Sequence, residues 1–306
     1  MATRAVDKRI SLDALGAIAL RQTDSDKLKR WGGVIRADTT GTPIAELQTA
    51  LTAVGVYTST IDGDFGAGTQ LALRRFQWFV VNSRYRLQVA AGAAVATGAV
   101  QSYLANGSVA VTGQCDVATA CELLDWVASN VRTTSLLVRF PLSLLPRTTR
   151  APTFTTLTYP AAAAGEVLIN GNFGGLQTLD AATRTPDVDL RLNQTFRVEG
   201  VAPRGAVVTP ATRSQHLIGY AVDLNIVSGS TVVTSAMFIA GRAPKPATDF
   251  VAAAVAQGLR WGGNFSDIDP PHFDDPVAST SEAYEMNFFF CQRSYALRHP
   301  LRLLES

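Results

Sequence analysis

Cysteine, lysine and histidine are scarce in this chain of 306 residues, and charged residues make up only 17% of it. The three cysteines show no CxxC spacing, which argues against a disulfide scaffold and a thiolate zinc finger. A formal net charge of +2 is too small for binding driven by neutralised nucleic-acid phosphates. No run approaches the roughly 20 apolar residues that cross a bilayer. A hydrophobic fraction of 47% instead predicts a chain that forms a core.

The length of the chain predicts two domains, since a domain usually takes roughly 100–200 residues. Residues 1–40 form an N-terminal extension of mixed character. Residues 41–140 carry helical patterns, with an insertion rich in Ala, Val and Gly at about 82–110. Prolines and threonines then interleave, so residues 141–165 are interpreted as a linker. Strand-type runs dominate the second domain, residues 166–306.

The first domain shows three helical patterns. Thr42 caps the first helix, which has an apolar face with Leu47 and Leu51 and stops at Gly55. A second helix follows a glycine-rich turn, and a third is predicted over Thr119–Ser129. No repeat of fixed period emerges beyond the helical pair in the first domain.

The glycine-rich turn between the first two helices reads IDGDFGAGT (residues 61–69). It is not a phosphate loop, because no Lys-Ser/Thr pair follows the glycines. It is not an EF-hand either, because a third acidic ligand and a closing glutamate are missing. We therefore predict a structural turn in which Asp62 and Asp64 bond the backbone and Phe65 fills the core.

The region 47–77 resembles the peptidoglycan-binding domain of phage and bacterial cell-wall hydrolases. The resemblance rests on Leu47-Gln48, Leu51, Gly55 with Tyr57, Ile61 to Gly66, Thr69 and Phe76-Gln77. Residues 111–126 are similar to the closing helix of that family, displaced by the insertion. The resemblance implies an all-α, three-helix domain whose partner is bacterial peptidoglycan. Because these motif residues mostly build the fold, none is assigned to sugar contact.

In the second domain, β-type runs include GEVLING, RVEGV, YAVDLNIV and STVVTSAMFIAG, and a helix is predicted over Thr248–Gln257. Two of the three histidines lie in SQHLIGYAVDL (214–224) and RWGGNFSDIDPPHFD (260–274). Gly219 lets the backbone turn so that His216 and Asp223 converge. Two prolines stiffen the approach to His272, which follows Asp269 by three residues.

Two histidines and a carboxylate suit a catalytic zinc with one open position, and a second carboxylate nearby suits a general base. The alternative is a pair of surface or core histidines with unrelated aspartates. The patterns SxHxxGxAxD and WGG…DxxHF resemble zinc DD-peptidases of the D-alanyl-D-alanine carboxypeptidase (VanY-like) type. That group includes L-alanyl-D-glutamate endopeptidases of phage endolysins, and the likeness covers about residues 195–275.

This resemblance implies an α+β domain with a small antiparallel sheet and Zn²⁺ as cofactor. Carried over by position, it implies His216, Asp223 and His272 as metal ligands and Asp269 as the catalytic base. Zinc would lower the pKa of its water to about 7, and Asp269 would take the proton and pass it to the leaving amine.

The sequence departs from the family pattern at two places. The family arginine that steadies the substrate carbonyl follows a strand resembling VEGV, where this chain has Ala202 and Pro203. Arg204 is expected to take that role, with Arg213 as a second candidate. After HF, Asp274 replaces the glutamate of many relatives, and we expect it to support a ligand histidine rather than act as a base.

These patterns predict a modular peptidoglycan hydrolase of the phage endolysin type. A zinc metallopeptidase would hydrolyse a stem-peptide amide, with L-alanyl-D-glutamate as the expected bond, while the N-terminal domain tethers it to the wall. Three alternatives stay open: a virion or tail-associated wall-binding protein with a degenerate peptidase domain, a D-Ala-D-Ala carboxypeptidase, and a hedgehog-like binding module.

The expected partner is peptidoglycan, with virion tail proteins as a further candidate and neither nucleic acid nor membrane insertion. The N-terminal residues lack the features of a secretory signal. The expected location is therefore the host cytoplasm until release to the periplasm and cell wall, or a phage particle.

Overall fold

The fold was analysed in a computed structural model, in which two compact units meet in sequence between Thr134 and Ser135. The residues described are 42–83, 85–88, 99–102, 107–152, 165–201, 212–277, 279–296 and 301–302. The predicted extension, residues 1–40, lies outside them. Within these segments, no helix combines the length and the apolar character needed to cross a membrane.

The N-terminal unit combines three helices with a sheet. The helices are α1 (Thr42–Ala53), α2 (Ala67–Asn82) and α3 (Val117–Ala128). The strands are β1 (Tyr85–Gln88), β2 (Ala99–Ser102) and β3 (Val131–Thr133), antiparallel in the order β2-β1-β3. The prediction of an all-α domain is therefore wrong. The insertion at 82–110 supplies two of the strands because β1 pairs on both edges, and this pairing overrides the helical bias of an Ala-rich segment.

A buried glutamine holds the turn at residues 61–69 together. Gln48 in α1 is fully buried; its amide donates to Asp62 Oδ1 (2.7 Å), Asp64 O (3.0 Å) and Thr69 Oγ1 (3.0 Å). Its oxygen accepts the N–H groups of Asp62 and Gly63. Phe65 is buried as predicted, but Asp64 takes part through its backbone, while Asp62 Oδ1 accepts the Asp64 N–H (3.0 Å).

The same arrangement recurs at residues 111–119. Gln77 in α2, also fully buried, donates to Gln114 O (2.8 Å) and Thr119 Oγ1 (2.9 Å) and accepts the N–H groups of Thr112 and Gly113. Gly63 and Gly113 share a φ of +76°. The unit therefore contains a structural repeat that the sequence analysis missed, because β1 and β2 separate its two halves.

The C-terminal unit is an α+β domain. Its helices are α4 (Gly175–Ala182), α5 (Ser235–Ile239), α6 (Lys245–Ala256) and α7 (Glu282–Ala296). Its strands are β4 (Leu137–Pro141), β5 (Thr148–Arg150), β6 (Glu166–Asn170), β7 (Val188–Gln194), β8 (Ala221–Ser228), β9 (Thr231–Val233), β10 (Arg260–Trp261), β11 (His272–Asp274) and β12 (Leu301–Arg302).

Two mixed sheets, rather than one small antiparallel sheet, organise this unit. The larger has the order β10-β11-β8-β7-β5 with β9 added to β8, and only β5 and β7 are parallel. The smaller has the order β12-β4-β6 with β12 parallel to β4. The linker prediction is corrected for residues 141–152. That stretch contains β5, whose backbone is paired with β7 and so belongs to the second unit.

Two other predicted strands differ in the structure. The RVEGV segment (197–201) is not a strand, since the Arg197 N–H donates to His216 O (3.0 Å) rather than to a ladder. In STVVTSAMFIAG only β9 is extended, and Thr234 then occupies the N-cap position of the short helix α5 without a side-chain capping bond. The helix predicted over Thr248–Gln257 begins three residues earlier, at Lys245.

Candidate metal centre

His216 is presented by a tight turn. Residues Gln215–Ile218 form one 3₁₀ turn, and Ser214 caps it by accepting the His216 N–H at Oγ (3.3 Å). Gly219 ends the turn at φ +71°, where an added Cβ would lie 2.5 Å from the Asn170 backbone nitrogen. The S-x-H-x-x-G pattern is therefore explained by a cap, a ligand and a left-handed close approach.

Asp223 and His272 come from neighbouring strands. Strands β8 and β11 are antiparallel, and their register places His272 directly opposite Asp223. Side chains of such a cross-strand pair project to the same face of the sheet. The buried Phe273 projects to the other face and contacts Phe250 at 5.7 Å between ring centroids. The predicted alternation around Asp223 and after His272 is thus what brings the two side chains together.

The three predicted ligands form one cluster, and each contributes one donor atom within 4.8 Å of the others. His216 Nε2 lies 3.1 Å from Asp223 Oδ1 and 3.2 Å from His272 Nδ1. His272 Nδ1 lies 3.1 Å from Asp223 Oδ1. Tetrahedral zinc with ligand distances of about 2.0–2.1 Å would separate its ligands by about 3.3 Å. The cluster therefore has the size of a metal site.

The hydrogen bonds of the outer imidazole nitrogens indicate which nitrogen of each ring carries the hydrogen. His216 Nδ1 lies 2.5 Å from Thr195 O, and His272 Nε2 lies 3.1 Å from Asp274 Oδ2. Since both oxygens accept, each outer nitrogen carries its hydrogen, and a neutral ring turns a lone pair inward. With both rings neutral, two lone pairs and a carboxylate would meet with no hydrogen between them, so the cluster favours a cation, either a proton or a metal ion. The donor set fits a cation, and Asp274 contacts the candidate ligand that it is expected to support.

The pKa shifts of His272 and Asp223 also indicate that the cluster favours a positive charge. Burial lowers the pKa of His272, but Asp223 and Asp274 outweigh burial and raise it to about 9. Burial alone would raise the pKa of Asp223, yet the two imidazoles hold it well below its usual range. A proton on His272 thus takes the place that a metal would occupy, and metal binding would displace it.

Asp269 lies beside the cluster on a loop held by the WGG motif. The Asp269 N–H donates to Gly262 O (2.9 Å), and Asp269 O accepts the His272 N–H (3.0 Å). A Cβ at Gly262 would collide with that carbonyl oxygen, so glycine permits the close approach. Burial and the charge of Asp223 raise the pKa of Asp269, against the opposite effect of both histidines. The half-buried carboxyl is thus electrostatically coupled to all three cluster residues.

Only one of the two predicted arginines, Arg213, lies among the described residues. Arg204 lies outside the described residues. Arg213 is exposed and pairs with Glu285. Arg197 is buried, and its pKa is lowered by burial and raised in part by the charge of Asp223. Arg197 is a candidate that the sequence pattern does not indicate, because the expected arginine follows the VEGV segment, whereas this one directly precedes it.

Helix α7 supports the histidine turn from behind. Tyr284 Oη donates to Ser214 O (3.0 Å), and Gln292 Nε2 donates to Leu217 O (2.6 Å). Asn170 Nδ2 donates to Ile218 O (3.0 Å) and to Asn287 Oδ1 (2.7 Å). No spacing in the sequence predicts these contacts, since they join residues far apart in the chain.

Comparison with known protein families finds one match in each part of the chain. Residues 208–275 match the D-alanyl-D-alanine carboxypeptidase family, and residues 40–80 match the peptidoglycan binding domain family. A comparison with curated proteins finds no match. The first match covers His216, Asp223, Asp269 and His272, and the second covers the turn bound by Gln48. Together the two matches support a peptidase that acts on the cell wall.

Proposed function

A chain that joins a peptidoglycan-binding domain to a VanY-like peptidase domain matches a modular peptidoglycan hydrolase, and we propose that this one is a zinc endopeptidase of the peptidoglycan stem peptide. The expected bond is L-alanyl-D-glutamate, and the expected setting is phage-induced lysis of the host. The observation that carries the proposal is the convergence of three hydrogen-bond acceptors at 3.1–3.2 Å with a second carboxyl, that of Asp269, beside them.

His216, Asp223 and His272 would hold the metal. A zinc ion bound there would supply a water of lowered pKa and would polarise the carbonyl of the scissile amide. Thr195 and Asp274 fix the orientation of the two imidazoles through their outer nitrogens. This support keeps the inner nitrogens available as ligands.

Asp269 would act as the general base and acid of the reaction. Because its pKa is raised, the Asp269 carboxylate is suited to accept a proton from water and return it to the leaving amine. The backbone bonds to Gly262 and His272 hold the Asp269 loop next to the proposed ligand His272.

Arg197 would bind the carbonyl oxygen as negative charge develops on it. Its side chain is buried, and the charge of Asp223 acts on its guanidinium. Donors already positioned in a dry site stabilise such a charge strongly. Arg197 therefore takes, in this proposal, the role that the sequence analysis gave to Arg204.

The N-terminal domain would keep the enzyme at its polymeric substrate and raise the local substrate concentration. The test is digestion of purified Gram-negative peptidoglycan by the full chain, with and without a chelator, followed by mass spectrometry. Chelator-sensitive release of peptides cut after the first L-alanine supports the proposal. Loss of terminal D-alanine alone identifies a carboxypeptidase, and intact muropeptides despite bound zinc identify a wall-binding protein.

A further inference from the structure

Arg260 and Asp274 form an ion pair next to the proposed ligand His272. Arg260 in β10 lies directly opposite Asp274 in β11. Its Nε donates to Asp274 Oδ1 and its Nη2 to Oδ2, both at 2.7 Å. The carboxylate side chain is 2% exposed, whereas the arginine side chain is 46% exposed. This is the two-point geometry that arginine forms with a carboxylate and lysine does not reproduce.

The same carboxylate contacts the ligand. Asp274 Oδ2 lies 3.1 Å from His272 Nε2, so the carboxylate has three donors, two of them from Arg260. Phe265 provides a second connection. Its ring centroid lies 5.4 Å from the Arg260 guanidinium carbon and 5.6 Å from the His272 ring centroid. Arg260 therefore reaches the imidazole through a hydrogen-bonded carboxylate and through a packed ring, without touching the metal cluster.

We infer that Arg260 is a positioning residue for the metal centre. By fixing both oxygens of Asp274, it keeps an acceptor on His272 Nε2 and so keeps Nδ1 directed at the metal. The inference rests on the proposed function, since it needs a metal at the cluster. It concerns a residue that neither the sequence patterns nor the ligand set includes.

The physical reason lies in the burial of Asp274. Without Arg260, a buried carboxylate would lose two of its three donors, and an unsatisfied buried charge is strongly unfavourable. The carboxylate would then turn toward water, and His272 would lose both its acceptor and its orientation. Loss of such an outer partner typically weakens metal binding by about 10–100-fold.

The experiment measures zinc affinity of the full chain by competition with a chromogenic chelator, together with the visible absorption of the Co²⁺-loaded protein. Arg260→Gln, Arg260→Lys, Asp274→Asn and the Arg260→Gln/Asp274→Asn double variant are compared. Arg147→Gln is the matched control, because Arg147 also pairs with carboxylates, Asp187 and Asp189, but both are exposed. Thermal unfolding is recorded for each variant.

We expect Arg260→Gln to weaken zinc binding at least about 10-fold and to change the Co²⁺ spectrum, with a smaller loss for Arg260→Lys and none for Arg147→Gln. Because Arg260 acts through Asp274, the double variant should bind zinc about as well as Asp274→Asn alone. Wild-type affinity in Arg260→Gln, or losses that simply multiply in the double variant, would overturn the inference. If Arg260→Gln does not fold, the Arg260→Lys affinity and spectrum decide in the same way. A wild-type chain that binds no zinc would overturn the proposed function as well.

Discussion

Each unit contains a pair of buried polar side chains, and the two pairs differ in their hydrogen bonding. The N-terminal unit has Gln48 and Gln77, and the C-terminal unit has His216 and His272. Each glutamine is surrounded by matching partners, so its amide donates and its oxygen accepts several hydrogen bonds. The two histidines have a hydrogen-bond acceptor only at their outer nitrogens, His216 Nδ1 and His272 Nε2. Their inner nitrogens face each other and a carboxylate.

The difference separates a structural polar group from a functional one. A buried polar side chain whose partners are complete stabilises one backbone conformation, here a tight turn. A buried set made only of acceptors is unfavourable until a cation joins it. The pattern of donors and acceptors, and not burial alone, therefore identifies the second cluster as a place for chemistry.

The largest expected effect comes from breaking the acceptor cluster. His216→Ala removes one of three ligands, so zinc affinity should fall by more than the roughly 100-fold expected for an outer partner, and hydrolysis should be lost. Zinc content after dialysis and muropeptide release measure the two effects. An active, metal-loaded His216→Ala protein would show that the cluster is not the metal site.

The next effect separates proton transfer from metal binding. Asp269→Ala leaves all three ligands in place, so it should retain zinc while hydrolysis falls by about 10²–10⁴-fold. Asp267→Ala, on the same loop, is the control and should keep full activity. Unchanged hydrolysis by Asp269→Ala would exclude this residue as the base.

A smaller effect is expected for the glutamines. Gln77→Glu keeps an acceptor but loses the amide donors, which should reduce the free energy of unfolding by about 2 kcal/mol. Gln48→Glu should lower the melting temperature further, because the new carboxylate would lie next to the carboxylate of Asp62 and be repelled by it. At the equivalent place, Gln77 has the uncharged hydroxyl of Thr112 as its neighbour. Thermal unfolding compares the two variants, and zinc affinity should stay constant in both. Equal melting temperatures would mean that the two turns tolerate charge alike.

The smallest effect distinguishes the two turns by pH. The hydrogen bond from Gln48 lowers the pKa of Asp62, so the charged carboxylate favours the folded state above its ordinary pKa of about 4. This contribution should be lost as the pH falls through the lowered value. The stability difference between wild type and Asp62→Asn should therefore shrink between pH 6 and pH 2. A constant difference would contradict the assignment.

Local patterns predicted the parts of the molecule that depend on neighbours in sequence. The turn at Gly219 and the strand parity of Asp223 follow from residue type and spacing, and both lie where expected. The buried Phe65 in the first turn was predicted for the same reason. Its counterpart, Cys115, was missed because the second turn replaces the aspartates and the phenylalanine that identify the first.

Features that depend on distant pairing were not predictable in this way. Strand β5 was placed in a linker, since its parallel partner β7 lies about 40 residues later and no local signal marks the pairing. Arg197 and Arg260 could not be distinguished from the other arginines for the same reason: the effect of the Asp223 charge on Arg197 and the ion pair of Arg260 with Asp274 exist only in the folded chain.

The proposed metal ligands His216 and His272 lie 56 residues apart in the chain. A metal bound between them would act as a cross-link that closes a loop containing β9, α5 and α6. At a free metal concentration 100 times the dissociation constant, such binding adds about 2.7 kcal/mol to the free energy of unfolding. The lifetime of the folded C-terminal unit against proteases would then depend on how much metal its surroundings hold.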